Sequence, residues 1–311
     1  MLKTVFAIGI LFIATGIAYP QSPLLPKKLA IYYGWPSGVN KAHETSGSLE
    51  DKLNAATAQF KDYDLVVFSG TLEFPQYTGA VGQMLDGCSQ NSHPDHDKTV
   101  EIIRRLKTPP NNTAVYGYVT IGGERTNRRC SPDGPRVQLT IDEVRSRVDD
   151  WAAMGVVGIF LDEAGYDFGC SRQRQNTVVD YIHSKGLSAF INAWNPEEVF
   201  DSTAKGKVVY YYPPGTVPSI YDPLESSAAM NPQGLPTRLG PNDIYLHESF
   251  QIINNNYQDA VFWKERSDKA LNYKNQFGTR MATVTTMCTP QTSICDPPRT
   301  ECGDGRQRRG G

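Results

Sequence analysis

Short apolar segments, rich in β-branched and aromatic residues, recur along the chain and are separated by helix-like segments. Several are apolar at consecutive positions, which is typical of strands that are covered on both faces of a sheet. Seven segments are predicted to be strands: Leu29–Tyr33, Leu65–Phe68, Ala114–Thr120, Val157–Leu161, Ser188–Asn192, Ile244–Leu246 and Met281–Thr285. Strands that alternate with helices predict an α/β fold with a parallel sheet, which we interpret as a TIM-type (β/α) barrel.

Several of the intervening segments carry signals for the ends of helices. Thr140, with Glu143 three residues later, predicts a capping box at the start of a helix. Gly186 stands where the C-terminus of another helix favours a residue with positive φ. These signals support the assignment of helices between the strands.

A closed barrel of this type has eight strands, one more than the pattern supplies. Either the eighth strand is a further segment such as Val208–Tyr212, or the C-terminal unit of the barrel is incomplete. The segment 207–242 is rich in Pro, Gly, Tyr and Ser, and it predicts an insertion or a lid. Residues 288–311 lack apolar periodicity, and they predict an irregular tail.

Residues 1–18 have the pattern of a secretory signal peptide, with a charged start, a short apolar core and the small residue Ala18 at the expected cleavage site. The apolar core is too short to span a bilayer comfortably. We therefore expect a secreted protein, extracellular or in the cell wall, with no membrane attachment after cleavage. The barrel domain is expected to occupy residues 19–287.

The formal net charge is −2, and charges of both signs are interspersed. Lys and Arg form no stripe with interleaved aromatic residues, so no nucleic-acid partner is expected. Asn111 begins an N-glycosylation sequon, Asn-Asn-Thr, that follows a Pro-Pro turn. Asn111 is therefore the candidate acceptor of a glycan.

The six cysteines follow the signal peptide, so disulfide bonds are chemically permitted. A bond between Cys130 and Cys170 would tie two neighbouring loops, and a bond between Cys88 and Cys130 is the alternative. The cysteines show no paired spacing with a matching histidine cluster, so no metal site is expected. The polar run from His93 to Asp97 is interpreted as a loop at the start of a helix, and no cofactor is expected.

Candidate chemistry lies at the carboxyl ends of the strands, because parallel barrels place their active sites there. Asp162 and Glu163 follow the fourth strand, and Glu248 follows the sixth. Cleavage of a glycosidic bond requires one carboxyl group that protonates the leaving oxygen and another that acts as nucleophile or base. Because side chains alternate along a strand, Asp162 and Glu163 both face the barrel axis only if the strand ends between them. The ordinary alternative for each acid is a role in capping or in a salt bridge.

Aromatic residues accompany these acids at or just past the strand ends. They are Tyr33, Trp35, Tyr118, Tyr166 and Trp194. Aromatic rings stack on sugar rings, although each ring is also a common packing residue. Asn192 is placed to form hydrogen bonds with sugar hydroxyl groups. These six residues are the candidate substrate-binding residues.

Four segments resemble those of a known group of proteins: Ile31–Trp35, Val115–Thr120, Gly158–Glu163 and Asn192–Pro196. They are similar to segments of the spherulin-4-like proteins and of the related endo-α-1,4-polygalactosaminidase family. The resemblance extends from about Leu29 to Thr286, with gaps in the segment 207–242.

This resemblance implies a TIM-type barrel that hydrolyses an α-1,4-linked, galactosamine-containing polysaccharide. It also implies that Asp162 and Glu248 form the catalytic pair and that Glu163 is a supporting acid. We interpret Asp162 as the nucleophile or stabilising carboxylate and Glu248 as the proton donor, with the two roles open to exchange.

The sequence therefore predicts a secreted glycoside hydrolase whose partner is an extracellular polysaccharide. The alternative is a non-catalytic extracellular carbohydrate-binding barrel, because a fold does not fix a function. A protein of that kind would retain the polysaccharide without releasing reducing ends. Another glycan, such as chitosan, remains open as the substrate.

Overall fold

The structure is a computed structural model, and it describes residues 27–68, 71–74, 93–125, 136–204, 206, 229–248, 252–253, 256–257 and 260–284. Its main feature is a sheet of seven strands, all paired in parallel. With strands numbered along the chain, the sheet order is β1 (Leu29–Tyr32), β2 (Leu65–Phe68), β3 (Ala114–Thr120), β6 (Gly158–Asp162), β7 (Ser188–Asn192), β8 (Ile244–His247) and β11 (Arg280–Thr283). All seven predicted strands are confirmed, and their ends move by no more than two residues.

Two small antiparallel ladders accompany the main sheet. One pairs β4 (Gly123–Arg125) with β5 (Arg136–Gln138), and the other pairs β9 (Ile252–Ile253) with β10 (Asn256–Tyr257). The first ladder follows β3, and the second follows β8. Both therefore extend loops at the carboxyl ends of the main strands, where barrel proteins build their sites.

Helices connect the strands. They are α1 (Leu49–Phe60), α2 (His96–Lys107), α3 (Ile141–Ala153), α4 (Arg172–Ser184), α5 (Glu197–Phe200) and α6 (Ala260–Phe277). The predicted capping box opens α3, because Thr140 Oγ1 accepts a hydrogen bond from Glu143 N–H and the Glu143 carboxylate accepts one from Thr140 N–H. Gly186, just after α4, has the expected positive φ of 70°.

The fold is an incomplete TIM-type barrel, a curled parallel sheet of seven strands with helices between them. Strands β1 and β11 stand at the two ends of the described sheet order. Strand β7 pairs directly with β8, so no strand is inserted between these two neighbours. The alternative eighth strand, Val208–Tyr212, lies outside the described residues, as do the predicted signal peptide and the tail 288–311.

Alternation along the strands divides the apolar residues into two cores. The interior of the curled sheet holds Val67, Tyr116, Phe160, Phe190, Ile244 and Leu246. Residues of the opposite parity, such as Val115, Ile159 and Ile191, pack outward against the helices. Because side chains two residues apart share a face of a strand, this alternation decides which residues beyond the strand ends face the barrel mouth.

One contact between a strand and a helix requires glycine. The Trp151 side chain on α3 is fully buried, and its indole N–H donates to the Tyr118 carbonyl oxygen at 3.1 Å. A β-carbon built on Gly117 of β3 would lie 2.2 Å from the Trp151 ring. Glycine at position 117 therefore lets α3 approach β3. The Trp151 hydrogen bond then holds the backbone of Tyr118 from the helix side of the sheet. Within the described residues, no helix combines the length and the apolar character needed to cross a membrane.

Candidate active site

Four strands direct polar side chains to one mouth of the barrel. Phe160, Phe190 and Leu246 belong to the interior core, and the residue two positions after each of them is Asp162, Asn192 and Glu248 respectively. Tyr118 lies on the interior face of β3, and its ring stacks on Phe160 with a centroid distance of 5.8 Å. The aromatic interior core thus forms the floor beneath the polar residues.

Asn192 joins the two predicted catalytic acids. Its amide nitrogen donates to Asp162 Oδ1 at 2.9 Å and to Glu248 Oε2 at 3.1 Å. Because both hydrogen bonds share one nitrogen, the two acceptor oxygens lie no more than about 6 Å apart. The structure therefore brings together two acids that are far apart in the chain, and it places the predicted substrate-binding residue Asn192 between them.

Asp162 is held by hydrogen bonds on both carboxylate oxygens. Tyr118 Oη donates to Oδ2 at 2.7 Å, and the Glu163 backbone N–H donates to Oδ1 at 2.9 Å, in addition to the Asn192 amide. Three donors from three directions fix the carboxylate in one orientation. Such an oriented carboxylate can attack or stabilise an electron-deficient carbon above it.

Glu163 follows Asp162 in a left-handed backbone conformation with a φ of 54°, so the strand ends between the two acids. This turn lets both carboxylates lie at the barrel mouth, whereas alternation along a continuing strand would have placed them on opposite faces. The Glu163 side chain is 8% exposed, and Thr120 Oγ1 donates to its Oε2 at 3.0 Å. Positive φ in a residue other than glycine is costly and persists where the surroundings enforce it, often at functional sites.

Three of the predicted aromatic residues have open surface near the mouth. The exposed fractions are 56% for Tyr33, 52% for Trp35 and 37% for Trp194. The Tyr33 ring meets the Tyr118 ring edge to face at 5.9 Å, so it lies beside the residue that holds Asp162. Tyr118 is only partly buried. These rings therefore have surface that a sugar can contact.

Tyr166 is different, and the prediction that it binds substrate is wrong. Its side chain is fully buried, and its hydroxyl donates to the Ala204 carbonyl oxygen at 3.3 Å. Its backbone N–H donates to Glu198 Oε2 at 2.7 Å, and burial raises the pKa of the Glu198 carboxyl. The Tyr166 ring has no open face for a sugar, so the residue braces the loops after β6 and β7.

Two residues beside Glu248 were not indicated by the sequence analysis. Arg266 on α6 donates to the Glu248 carbonyl oxygen at 3.3 Å. His247 is 1% exposed and packs edge to face on Tyr245, and burial together with the nearby Arg266 charge lowers its pKa to about 4. His247 is therefore neutral near pH 7. Arg266 lies within an ordinary amphipathic helix, so its sequence context carries no signal of a site.

The polar run from His93 to Asp97 starts α2, as expected. Asp95 is fully buried, and its carboxylate accepts hydrogen bonds from the Ser37 backbone N–H and hydroxyl. His93 meets the Trp35 ring edge to face at 5.3 Å. The run therefore anchors the loop that carries Trp35. In the part of the chain that the structure describes, no group of three or more His, Cys, Asp or Glu is arranged to hold a metal ion.

The remaining two predictions concern covalent modification. Cys170 is fully buried, and burial raises the pKa of its thiol to about 12. Its predicted partner Cys130 and the alternative Cys88 lie outside the described residues, so the disulfide stays a prediction. Asn111 is partly buried, and its amide nitrogen donates to the Arg105 carbonyl oxygen at 2.9 Å. Its glycosylation also stays a prediction.

The fold is that of an incomplete TIM-type barrel, and at the carboxyl ends of its strands Asn192 forms hydrogen bonds to both Asp162 and Glu248. No protein-family model matches the chain, and the comparison with curated proteins gives no match. Solved structures of similar fold include enzymes of several reaction classes.

One of these structures is the glycoside hydrolase domain of PelA from Pseudomonas aeruginosa, which is 10% identical with a TM-score of 0.31, over 83% of this chain and 94% of that chain. The trehalose-6-phosphate hydrolase TreA from Bacillus licheniformis is 10% identical with a TM-score of 0.40, over 85% and 57%. The 3-dehydroquinate dehydratase from Geobacillus kaustophilus HTA426 is 9% identical with a TM-score of 0.38, over 85% and 75%. Such distant likeness leaves the function to be argued from the site.

Proposed function

We propose that this protein is a secreted glycoside hydrolase that cleaves an α-1,4-linked, galactosamine-containing polysaccharide with Asp162 and Glu248. The observation that carries the proposal is the Asn192 amide, which donates to both carboxylates and so holds them close together at the barrel mouth. A pair of neighbouring carboxyl groups is the equipment that glycosidic cleavage needs.

The separation of the acids supports a retaining mechanism. Retaining enzymes have carboxyl groups about 5–5.5 Å apart, whereas inverting enzymes leave room for a water molecule at about 6.5–9.5 Å. The two oxygens that share the Asn192 nitrogen lie within about 6 Å of each other, which is short enough for the retaining class. In this mechanism Asp162 attacks the anomeric carbon as Glu248 protonates the leaving oxygen. Glu248 then takes a proton from the water that releases the sugar.

The hydrogen bonds support the assignment of roles. Asp162 is oriented by Tyr118, Glu163 N–H and Asn192, which suits a nucleophile that must meet one carbon atom in line. Glu248 follows the end of β8 and receives the Asn192 amide on one oxygen. A proton donor must release its proton and later take one from water, and this role suits the acid opposite the oriented nucleophile.

Two features support an amino-sugar polymer as the substrate. Asp162 and Glu163 lie at the mouth beside the proton donor Glu248, and the negative charge of their carboxylates complements the ammonium groups of galactosamine. The open rings of Tyr33, Trp35 and Trp194 offer stacking surfaces for successive sugars. The resemblance to the endo-α-1,4-polygalactosaminidase family favours this polymer over chitosan. The signal-peptide pattern agrees with an extracellular polysaccharide.

The test is hydrolysis of deacetylated galactosaminogalactan by the purified protein, with release of reducing ends as the readout. Asp162→Asn and Glu248→Gln are expected to lower kcat by about 1,000-fold or more, because each removes a catalytic group. Asp180→Asn is the matched control, because Asp180 is an exposed acid on α4 that pairs with Arg238 at 3.5 Å. It should keep full activity.

The possible outcomes separate the proposal from its alternatives. If proton NMR shows that the first product retains its anomeric configuration, the retaining assignment is supported. If azide restores activity to Asp162→Ala, Asp162 is supported as the nucleophile. Full activity in both Asp162→Asn and Glu248→Gln would end the proposal. Binding of the polymer without any release of reducing ends would instead establish the carbohydrate-binding alternative. Cleavage of chitosan in preference to the galactosamine polymer would correct the substrate.

A further inference from the structure

One face of α6 docks on the segment that follows β7. Its contact residues Arg266, Lys269, Tyr273 and Phe277 recur at helical spacing. Lys269 forms an ion pair with Glu197, and the Tyr273 and Phe277 rings stack on Phe200 at centroid distances of 4.8 and 5.4 Å. Residues three or four apart share one side of a helix, so these contacts hold α6 in a single orientation. The first residue of this face, Arg266, is thereby carried to the edge of the active site.

Arg266 contacts two residues of the site at once. Its guanidinium carbon lies 5.7 Å from the centre of the Trp194 ring, within the range of a cation–π contact. Its Nη2 donates to the carbonyl oxygen of Glu248 at 3.3 Å. The proposed mechanism gives this arginine no chemical step, although it joins the sugar-stacking ring to the backbone of the proton donor.

The charge of Arg266 acts in partly dehydrated surroundings. Burial lowers the pKa of Arg266 itself, and the Arg266 charge contributes to keeping His247 neutral. The titratable groups around Glu248 come from several elements: Asp162 at the end of β6 and Glu163 after it, Tyr245 and His247 on β8, Glu197 and Glu198 on α5, and Arg266 and Lys269 on α6. Glu197 and Lys269 neutralise each other, and Tyr245 and His247 are neutral near pH 7. Arg266 is therefore the cation that opposes the acids at this site, within the described residues.

We propose that Arg266 is a positioning residue for the cleavage reaction: its planar guanidinium fixes the Trp194 ring and the Glu248 backbone, and its charge sets the pH range in which Glu248 holds its proton. This inference rests on the proposed role of Glu248 as proton donor. A planar fork that both stacks and donates is a property of arginine that lysine lacks. Substitutions can therefore separate the positional part of the inference, which concerns the Trp194 ring and the Glu248 backbone, from the electrostatic part, which concerns the proton of Glu248.

Two substitutions at position 266 separate these parts. Arg266→Lys keeps the charge and loses the fork, whereas Arg266→Met loses both and keeps most of the side-chain volume. A cation favours the ionised form of a nearby carboxyl group, so its removal should make Glu248 release its proton at higher pH. Arg266 Nη2 lies 3.3 Å from the carbonyl oxygen of Glu248. If the carboxyl group of the same residue lies roughly 7 Å from this cation, the shift is about half to one pH unit.

The direct measurement is a carbon-13 NMR titration of glutamate side chains in the whole protein, with Glu248→Gln to assign the signal. We expect the Glu248 titration midpoint to rise by about half to one pH unit in Arg266→Met and to stay within about 0.2 unit in Arg266→Lys. In the active enzyme, the alkaline limb of the pH profile of kcat should also move to higher pH in Arg266→Met. KM should rise about 3- to 10-fold in both variants, because both leave Trp194 less ordered.

Lys264→Met is the control, because it removes one positive charge from an exposed position on the same helix, where Lys264 pairs with Asp268. It should leave the Glu248 titration and KM unchanged. An unchanged titration midpoint in folded Arg266→Met, or an equal shift in Lys264→Met, would overturn the electrostatic part. An unchanged KM in Arg266→Lys would overturn the positional part.

The NMR titration needs no turnover, so it separates this inference from the proposed function. A wild-type protein that cleaves no glycan, but whose Glu248 midpoint still rises in Arg266→Met, refutes the hydrolase and leaves the influence of Arg266 on Glu248 standing. If Arg266→Met does not fold, Arg266→Lys against wild type still tests the positional part through KM. Arg266→Gln then tests the charge, with the same expected rise.

Discussion

Replacement of Asn192 by alanine tests the arrangement on which the proposed function rests. Asn192 is 8% exposed, and its amide makes two hydrogen bonds to carboxylates, at 2.9 and 3.1 Å. Hydrogen bonds to charged groups contribute about 1.5–3 kcal/mol each. Loss of both, if each acts at the lower value in the transition state, raises the barrier by about 3 kcal/mol, which is roughly a 150-fold loss in rate.

The same substitution removes the group that separates the two acids. At about 5 Å and an effective dielectric constant of about 40, two carboxylates repel each other by about 1.7 kcal/mol. Asp162 and Glu248 are therefore expected to move apart or to share a proton, and the pH dependence of kcat should become broader. The expected result is a loss of about 100-fold or more in kcat/KM.

The assay is kcat/KM on the amino-sugar polymer, with urea unfolding of each variant to confirm that the fold is kept. Asn176→Ala is the matched control, because Asn176 donates to the Pro236 carbonyl oxygen from an exposed position on α4. It is expected to keep wild-type activity. A folded Asn192→Ala protein with activity within about threefold of wild type would refute the reasoning, since it would show that the bridge is not needed in the transition state.

Three further predictions follow from single contacts. Tyr118→Phe removes the hydroxyl that donates to Asp162 at 2.7 Å but keeps the ring, so kcat should fall about 10-fold with little change in stability, as kinetics and urea unfolding can show. Gly117→Ala should lower the free energy of unfolding by about 3 kcal/mol or prevent folding, because the new carbon would lie 2.2 Å from Trp151; wild-type urea curves would contradict this. Burial lowers the pKa of His247 in the folded protein from 6.5 to about 4. The unfolded chain therefore binds the proton at higher pH than the folded protein does. The free energy of unfolding should fall as the pH is lowered from 6.5 to about 4. The loss should reach about 3 kcal/mol in wild type and be smaller in His247→Gln, and parallel stability curves for the two proteins would exclude the assignment.

The sequence predicted the strands well because the signals for them are local. A strand covered on both faces needs consecutive apolar residues, and all seven such segments became strands of one sheet. Asp162, Asn192 and Glu248 each stand two positions after an interior core residue, so side-chain alternation explains why all three face the barrel mouth. Strands that are apolar at consecutive positions do not show which parity faces the interior, so the sequence did not choose between Asp162 and Glu163.

Other features depended on contacts between distant segments. Tyr166 follows a strand end as Trp194 does, yet the Ala204 and Glu198 segments close over it and leave it fully buried. Arg266 reaches Glu248 only because α6 docks through Phe200 and Glu197, which no pattern near position 266 records.

The sequence by itself determined a parallel α/β sheet, the strands that compose it and the acids at their carboxyl ends. It could do so because periodicity and apolar runs are properties of neighbouring residues. Only the tertiary structure decided that one amide joins Asp162 to Glu248, that Tyr166 is enclosed and that Arg266 contacts the backbone of Glu248. Those facts depend on how the curled sheet and its loops bring remote residues within hydrogen-bonding distance, and this is set by packing of the whole chain.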